Sequence, residues 1–272
     1  MSVKQVSSVS NPLVKSIRAL AHKKAREREG LFLAEGLKLA LDALEGGWTI
    51  RTLVVSTHDG PRERIDDVSA RVHAAGGLVL QASEKVLAAI ARRDNPQTVI
   101  AVVEERWSPD VEPQAGETWV ALERVRDPGN LGTVIRTADA LGLSSVVLAG
   151  ECVDPFGVET VRATMGSLFH VPLARVDAVA PLAERFRAAG GQVVGTHLGG
   201  AVDHRRIDWT ATPTLVVMGN EARGLSDEAA AACDRLALIA MSGRADSLNL
   251  AVSAGIVLFE ARRHALPEKE AA

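Results

Sequence analysis

The sequence has few cysteines and no long apolar run. Only Cys152 and Cys233 occur among its 272 residues, and they lack the spacing and the histidine or cysteine neighbours of a zinc site. So few cysteines are typical of a protein from a reducing compartment. No apolar run approaches the roughly 18 residues that span a membrane, and the N-terminus lacks a signal-like stretch. We therefore predict a soluble, cytoplasmic protein that uses neither a metal nor a membrane.

Several motifs of common enzyme families are also missing. No G-x-G-x-x-G follows a predicted strand, which speaks against an NAD site and against a glycine-rich Rossmann methyltransferase site. Neither a Walker A sequence nor a G-x-S-x-G elbow occurs. The seven histidines are scattered without an H-x-x-x-H pair, so we interpret them as structural or solvated.

The charge of the chain is uneven. The net charge of -3 argues mildly against a protein whose whole surface binds nucleic acid. Residues 1–30 nevertheless hold seven basic residues and only two acidic ones. All of them except Lys4 lie on a helix predicted to start at Asn11 and to end at Gly30. This local excess fits a surface that binds a phosphate backbone, and it also fits an ordinary solvated helix face. Charge alone leaves both interpretations open.

Strand-like segments alternate with helical patterns along the chain. This alternation favours an α/β fold whose sheets are covered by helices. Residues 106–117 interrupt it, because they contain Pro109, Pro113 and Gly116 without an apolar period. We therefore predict a first α/β domain over residues 1–105, a linker over 106–117 and a second α/β domain over 118–272.

Three polar stretches each follow a predicted strand of the second domain. They are N-L-G-T-V-I-R-T-A-D-A-L-G (residues 130–142), G-N-E-A-R-G (219–224) and S-L-N (247–249). Each has an ordinary explanation as a capped helix or a tight turn. Polar side chains at strand ends are also where α/β proteins place ligands and chemistry, so the three stretches predict one site.

The local patterns around these stretches predict particular helix ends. Asn130 is the expected N-cap of a helix that carries Arg136, and Ser247 is the expected N-cap of the last helix, with Asn249 in its first turn. One face of the last helix is apolar, which predicts that it packs on the core. The residues of that face are Leu248, Ala251, Val252, Gly255, Ile256 and Phe259.

As an ordered set, the three stretches resemble the motifs of the SpoU (TrmH) family of RNA 2′-O-ribose methyltransferases, in the SPOUT superfamily. The first motif, N-x-G-x-x-x-R-x-A-x-x-x-G, is matched by Asn130, Gly132, Arg136, Ala138 and Gly142. The second motif, G-x-E-x-x-G, is matched by Gly219, Glu221 and Gly224. The third is matched by Ile239, Met241, Gly243 and the run S-L-N-L-A-V-S-A-G over residues 247–255, with Ala240 where the family usually has proline.

The resemblance covers essentially the whole chain and implies a fold. Residues 1–105 look like the L30e-like substrate-binding domain of the rRNA-type members, through S-N-P-L-V-K-S-I-R-A-L, R-E-R-E-G-L-F-L-A-E-G-L-K and N-P-Q-T-V-I-A-V-V. The second domain would be a SPOUT α/β domain with a deep trefoil knot, one of the rare exceptions to unknotted topology. The family also implies S-adenosyl-L-methionine as cofactor and a homodimer with its active site near the subunit interface.

The resemblance assigns roles to residues of this chain. It implies a catalytic group made of Arg136, Asn130, Glu221, Ser247 and Asn249. The cofactor-binding positions are Thr196, Gly219, Ile239, Met241 and Leu248. The basic first helix and the L30e-like domain suggest RNA contacts by Lys15, Arg18, Lys23, Lys24, Arg26 and Arg28.

The expected reaction is methylation of a ribose 2′-hydroxyl in structured RNA, with 23S-type rRNA favoured by the full first domain. Two alternatives stay open: a tRNA 2′-O-ribose methyltransferase, and a non-catalytic RNA-binding protein with the same fold. A role of Arg136 as general base faces a difficulty, because a guanidinium in a protein stays protonated. We favour the hypothesis that it holds a phosphate beside the target ribose and stabilises the developing alkoxide.

Overall fold

A computed structural model of the chain describes residues 4–57, 61–108, 112–199 and 202–267. The chain forms two compact α/β units. The first unit comprises the chain up to Arg106 together with the segment Asp154–His170, and the second comprises Trp107–Val153 and the chain from Val171 onward. None of the described helices is long and apolar enough to cross a membrane.

The first unit is built on a five-stranded sheet. Its strands are β1 (Lys4–Val6), β2 (Leu31–Glu35), β3 (Ile50–Ser56), β4 (Leu78–Ala82) and β5 (Val99–Glu104). They lie in the order β1-β4-β3-β5-β2, and β5 runs antiparallel to both of its neighbours. The helices of this unit are α1 (Pro12–Ala19), α2 (Lys23–Glu29), α3 (Leu37–Glu45), α4 (Arg62–Ala74) and α5 (Glu84–Ala91).

The basic N-terminal region forms two helices, where the sequence predicts one. The predicted start is confirmed, since the Asn11 side chain accepts a hydrogen bond from the backbone N–H of Leu13 and Pro12 occupies the first turn. The predicted end at Gly30 is also confirmed, with φ 63°. The continuous helix between them is wrong, because His22 adopts an extended conformation and α2 starts after it.

The second unit holds a seven-stranded sheet in which every pair of neighbouring strands is parallel. Its strands are β6 (Thr118–Glu123), β7 (Ser145–Ala149), β8 (Leu173–Val176), β9 (Gln192–Thr196), β10 (Val202–Asp203), β11 (Thr214–Met218) and β12 (Arg235–Leu238). Their order is β10-β12-β9-β11-β6-β7-β8. Because the strands are parallel, the polar stretches after β6, β11 and β12 come to the same edge of the sheet.

The remaining helices are α6 (Pro128–Ala140), α7 (Val158–Ala163), α8 (Val179–Ala188), α9 (Asp227–Ala231) and α10 (Leu250–Arg262). Both units are α/β, as predicted. The trefoil knot stays a prediction.

The segment that carries α7 packs with the first unit, although it lies inside the range 118–272. Its Phe156 and Phe169 join Phe32 and Trp48 in an aromatic cluster, and the Trp48 indole N–H donates to the Phe169 carbonyl at 3.0 Å. The predicted domain boundaries stay a prediction, to which the structure adds this excursion of the chain.

Arg26 belongs to the interior of the first unit. Arg26 is 4% exposed, and its Nη2 lies 2.5 Å from a carboxylate oxygen of Asp154. Its Nη1 donates to the carbonyl of Leu20 at 2.8 Å. A guanidinium held in this way is not available to a phosphate, so the expected RNA contact of Arg26 is corrected to a structural ion pair.

The helix α10 turns a different face to the core than the sequence predicts. Val252 and Phe259 are each 52% exposed, while Ala251 is buried as expected. The buried residues of α10 are Leu250, Ala251, Ala254, Val257, Leu258 and Ala261. Periodicity could not choose between the faces, because both are apolar.

Candidate functional site

The carboxylate of Glu221 joins two loops at the edge of the parallel sheet. It lies in the turn after β11 and accepts hydrogen bonds from backbone N–H groups in the loop after β6. Its Oε2 is 3.1 Å from the nitrogen of Arg126, and its Oε1 is 3.0 Å from that of Asp127. The Asn130 side-chain amide also donates to Oε1, at 3.2 Å. Glu221 thus fixes the start of α6 against the turn.

The third polar stretch is connected to this pair through Asn130. The Asn249 side-chain amide donates to Oδ1 of Asn130 at 2.9 Å. A continuous chain of hydrogen bonds therefore runs from Glu221 through Asn130 to Asn249. These three residues, which we call the polar relay, come from three loops and were predicted to share one site; the structure brings them together.

Two helices of the site have other N-caps than the sequence predicts. Asp127 caps α6, since its Oδ1 accepts from the backbone N–H of Asn130 at 2.7 Å, and Pro128 occupies the first turn. Asn249 caps α10 by accepting from the N–H groups of Ala251 and Val252. The predictions of Asn130 and Ser247 as caps are wrong. The shift leaves the Asn130 side chain free for the relay.

The surroundings of Glu221 favour its charged form. Burial raises the pKa of its carboxyl, but hydrogen bonds from the backbone N–H groups of Asp127 and Arg126 and from the Asn130 amide lower it. The lowering contributions prevail, so the pKa lies below its ordinary value and the relay contains a carboxylate at neutral pH.

The turn after β11 is closed tightly. The backbone groups of Asn220 and Gly224 exchange two hydrogen bonds, of 2.9 and 2.8 Å, and Gly224 has φ 70°. A Cβ atom at Gly219 would lie 2.1 Å from the carbonyl carbon of Gly224. Only glycine therefore fits at the first position of the turn.

A second glutamate, which sequence reasoning missed, anchors the far end of the same turn. Glu123 ends β6 and is 7% exposed. Its carboxylate accepts from the backbone N–H of Ser226 at 2.8 Å and from the hydroxyl of Ser226 at 2.6 Å. Ser226 in turn caps α9. The available signal was a carboxylate at the end of an apolar strand, W-V-A-L-E.

All five predicted cofactor-binding residues line one cleft beside the relay. The cleft holds about 1180 Å³ of empty space, including the space at its mouth. Ser247, predicted as catalytic, also lies in its wall. The lining includes Thr196, Gly219, Ile239, Met241 and Leu248.

Arg136 stands apart from this arrangement. It is exposed on α6, and among the described residues its side chain has no hydrogen-bond or ion-pair partner. It follows Asn130 by six residues, which is about 9 Å along a helix axis and roughly 120° around it. Arg136 lines neither the cleft nor the shallow groove around Asn130 and Asn249. The catalytic role of Arg136 stays a prediction.

The chain matches two family models. Residues 117–259 match the model of the SpoU rRNA Methylase family, and residues 11–101 match the MRM3-like substrate binding domain. The chain belongs to the SpoU rRNA methylase family. This membership confirms the resemblance carried by the three polar stretches.

Individual relatives support the same conclusion. The chain is 55% identical to the AdoMet-bound rRNA methyltransferase from Sinorhizobium meliloti, with a TM-score of 0.91 and coverage of 97% of this chain and 99% of that one. It is 31% identical to the 23S rRNA (guanosine(2553)-2′-O)-methyltransferase RlmP of Bacillus subtilis, over 96% of this chain and 100% of RlmP. It is 34% identical to the 23S rRNA (uridine(2479)-2′-O)-methyltransferase of Streptomyces viridochromogenes, over 93% of this chain and 89% of that enzyme. The protein is an S-adenosylmethionine-dependent RNA methyltransferase.

The residues of the cleft fit S-adenosylmethionine. Its walls include Met218, Ile239 and Leu250, which suit the faces of an adenine ring, and polar groups of the turn 219–224 lie beside them. Because Gly219 has no Cβ, the backbone of Gly224 can approach it closely within the turn. The individual roles of the cofactor-binding residues stay predictions.

The lowered pKa of Glu221 predicts a pH-dependent contribution to stability. Above the ordinary value of 4.5 the ionised carboxylate stabilises the fold, and this contribution is lost as the pH falls through the lowered pKa. Glu221→Gln should therefore reduce the free energy of unfolding most near neutral pH and progressively less under acid conditions. Urea denaturation across this range measures the difference. Glu63→Gln, an exposed carboxylate on α4, is the control, and a pH-independent loss in Glu221→Gln would contradict the assignment.

Proposed function

We propose that this enzyme methylates the 2′-hydroxyl of a ribose in 23S-type rRNA. The observation that carries the proposal is the polar relay beside a cleft suited to S-adenosylmethionine. Relatives that align along nearly the whole chain, including the substrate-binding domain, are named 23S rRNA 2′-O-methyltransferases. This favours rRNA over tRNA as the substrate, and an rRNA substrate is consistent with a cytoplasmic enzyme.

The reaction requires alignment of the ribose oxygen with the methyl donor and stabilisation of the charge that develops on that oxygen. When bound, S-adenosylmethionine supplies an electrophilic methyl group. The relay provides amide groups on Asn130 and Asn249, which suit a ribose hydroxyl, and Glu221 holds both loops in place. Ser247 would contribute a further hydroxyl from the wall of the cleft.

Arg136 supplies the positive charge in this proposal. Since a guanidinium does not act as a base at neutral pH, it binds the phosphate next to the target ribose and stabilises the developing alkoxide. Because Arg136 lines neither the cleft nor the groove of its own chain, it would serve the relay of a second copy. We propose a homodimer in which each active site takes Arg136 from the other subunit.

The exposed face of α10 supports the homodimer. Val252 and Phe259 project from it, with Gly255 and Ile256 between them half-buried, and together they form an apolar stripe. This helix packs against α6, the helix that carries Arg136. A second copy seated on the stripe would cover exposed apolar surface and would lie beside Arg136.

Most of the residues that were predicted to contact RNA lie at the surface of the first unit. Lys15, Lys23, Lys24 and Arg28 are exposed, and Arg18 is half-buried. The ion pairs of Lys23 with Glu27 and of Arg28 with Glu29 are also exposed and therefore weak. We propose that these five residues contact the RNA backbone, without Arg26.

Methyl transfer to RNA tests the proposed function directly. We expect labelled methyl groups from S-adenosylmethionine to reach one ribose of 23S rRNA, and a 2′-deoxy nucleotide at the mapped position to abolish transfer. Arg136→Ala should lower the rate by about 10²- to 10³-fold, because it removes a charge that acts on the transition state. Its affinity for S-adenosylmethionine, measured by calorimetry, should stay unchanged.

Arg235→Ala is the matched control, since Arg235 is an exposed arginine at the amino end of β12. It should retain full transfer. Transfer to a base, transfer to tRNA alone, or normal turnover by Arg136→Ala would each contradict the proposal.

The apolar stripe predicts the oligomeric state. The native protein should have about twice the 28.8 kDa mass of one chain, whereas Phe259→Lys places a charge in the proposed interface and should yield monomers. Light scattering after size-exclusion chromatography measures both masses. Because Phe259 is exposed in the single chain, the variant should keep its circular dichroism spectrum. A native monomer, or a Phe259→Lys variant that stays dimeric, would contradict this interface.

A further inference from the structure

Arg223 is a basic residue of the cleft that lies outside the polar relay. It lies in the closed turn after β11, and its side chain is exposed in the wall of the cleft. The described wall contains one other basic side chain, that of His197. Nδ1 of His197 accepts a hydrogen bond from the backbone N–H of Gly199 at 3.0 Å. A guanidinium in a protein stays protonated, so Arg223 carries a permanent positive charge in the described wall.

The backbone of Arg223 is fixed, whereas its side chain is free. Oδ1 of Asn220 accepts from the backbone N–H groups of Ala222 and Arg223, at 3.0 and 3.2 Å. The paired backbones of Asn220 and Gly224 close the turn around them. Among the described residues, the Arg223 guanidinium has no hydrogen-bond or ion-pair partner. A rigid turn thus presents a free guanidinium at the edge of the cleft.

The nearest anion in the turn does not neutralise Arg223. The carboxylate of Glu221 accepts from the backbone N–H groups of Arg126 and Asp127 and from the Asn130 amide. Glu221 also lines the cleft, but these bonds hold its carboxylate in the relay. The positive charge of Arg223 is therefore left for a ligand.

S-adenosylmethionine has two chemically distinct ends. Its adenosine suits the apolar walls that Ile239, Met241 and Leu248 provide. Its methionine end carries a carboxylate, which a guanidinium binds in a bidentate geometry that a lysine cannot reproduce. Among the described walls, Arg223 is the residue whose side chain can bind that carboxylate in this bidentate geometry.

We propose that Arg223 binds the carboxylate of the methionine moiety of S-adenosylmethionine. The proposal rests on the cofactor dependence within the proposed function, and it does not depend on which RNA is methylated. Arg223 acts as a cofactor-binding residue that holds the methionine end while the apolar walls hold the adenosine.

The test compares two ligands that differ only in the carboxylate. Calorimetry gives the affinities of the full-length protein for S-adenosylmethionine and for decarboxylated S-adenosylmethionine. Arg223→Ala should weaken binding of S-adenosylmethionine about tenfold, the effect of one charge-assisted contact, and should leave the affinity for the decarboxylated ligand unchanged. The affinity of Arg223→Lys for S-adenosylmethionine should lie between that of the native protein and that of Arg223→Ala. Arg235→Ala, outside the cleft, should match the native protein with both ligands.

Each other outcome has a defined meaning. An equal loss for both ligands would show that Arg223 only maintains the turn, and no loss for either ligand would show that the carboxylate lies elsewhere. Unchanged cofactor affinity with weakened RNA binding would assign Arg223 to RNA. Each of these results overturns the proposal. If the native protein bound neither ligand, the cofactor dependence itself would fail, which is a distinguishable result.

Discussion

The site depends on one carboxylate that accepts from two backbone N–H groups. Glu221 leaves the turn after β11 and binds the first residues of the loop after β6, where the backbone amides of Arg126 and Asp127 converge. These donors keep the carboxylate charged, and the charge strengthens each hydrogen bond. Asn130 and Asn249 are positioned through this anchor, since Asn130 binds Glu221 and Asn249 binds Asn130. The Asn220 side-chain amide adds a second link between the turn and the loop after β6, by donating to the carbonyl of Arg124 at 2.8 Å.

Few residues are needed to assemble the site, because the parallel sheet already brings its loops together. Loops that follow β6, β11 and β12 reach the same edge, so the cleft and the relay lie side by side without a dedicated scaffold. Glu123 and Glu221 fix the turn after β11 at both ends, through Ser226 and through the loop after β6. The wall of the cleft and the support of the relay are therefore the same short segment. In the proposed function, this segment couples cofactor binding to the geometry of the chemistry.

Much of this arrangement could be predicted from the sequence, because local rules govern strand ends. The alternation of strands and helices and the grouping of the three stretches were confirmed. Helix starts were misplaced by two or three residues, since Asp127 and Asn249 compete as caps with Asn130 and Ser247. The ion pair of Arg26 joins residues 128 positions apart, and the bond of Glu123 to Ser226 spans 103. Such contacts depend on tertiary packing, so the local sequence does not identify the partner residue.

The most direct test of the central claim is a double-mutant cycle on methyl transfer with Asn130→Ala, Asn249→Ala and the combined variant. If the relay acts as one unit, each single change removes most of its effect, and the double variant is scarcely slower than the worse single variant. Affinity for S-adenosylmethionine, measured on the same proteins, should change little. Rate losses that multiply independently would show that Asn130 and Asn249 act separately, and would contradict a single relay organised by Glu221.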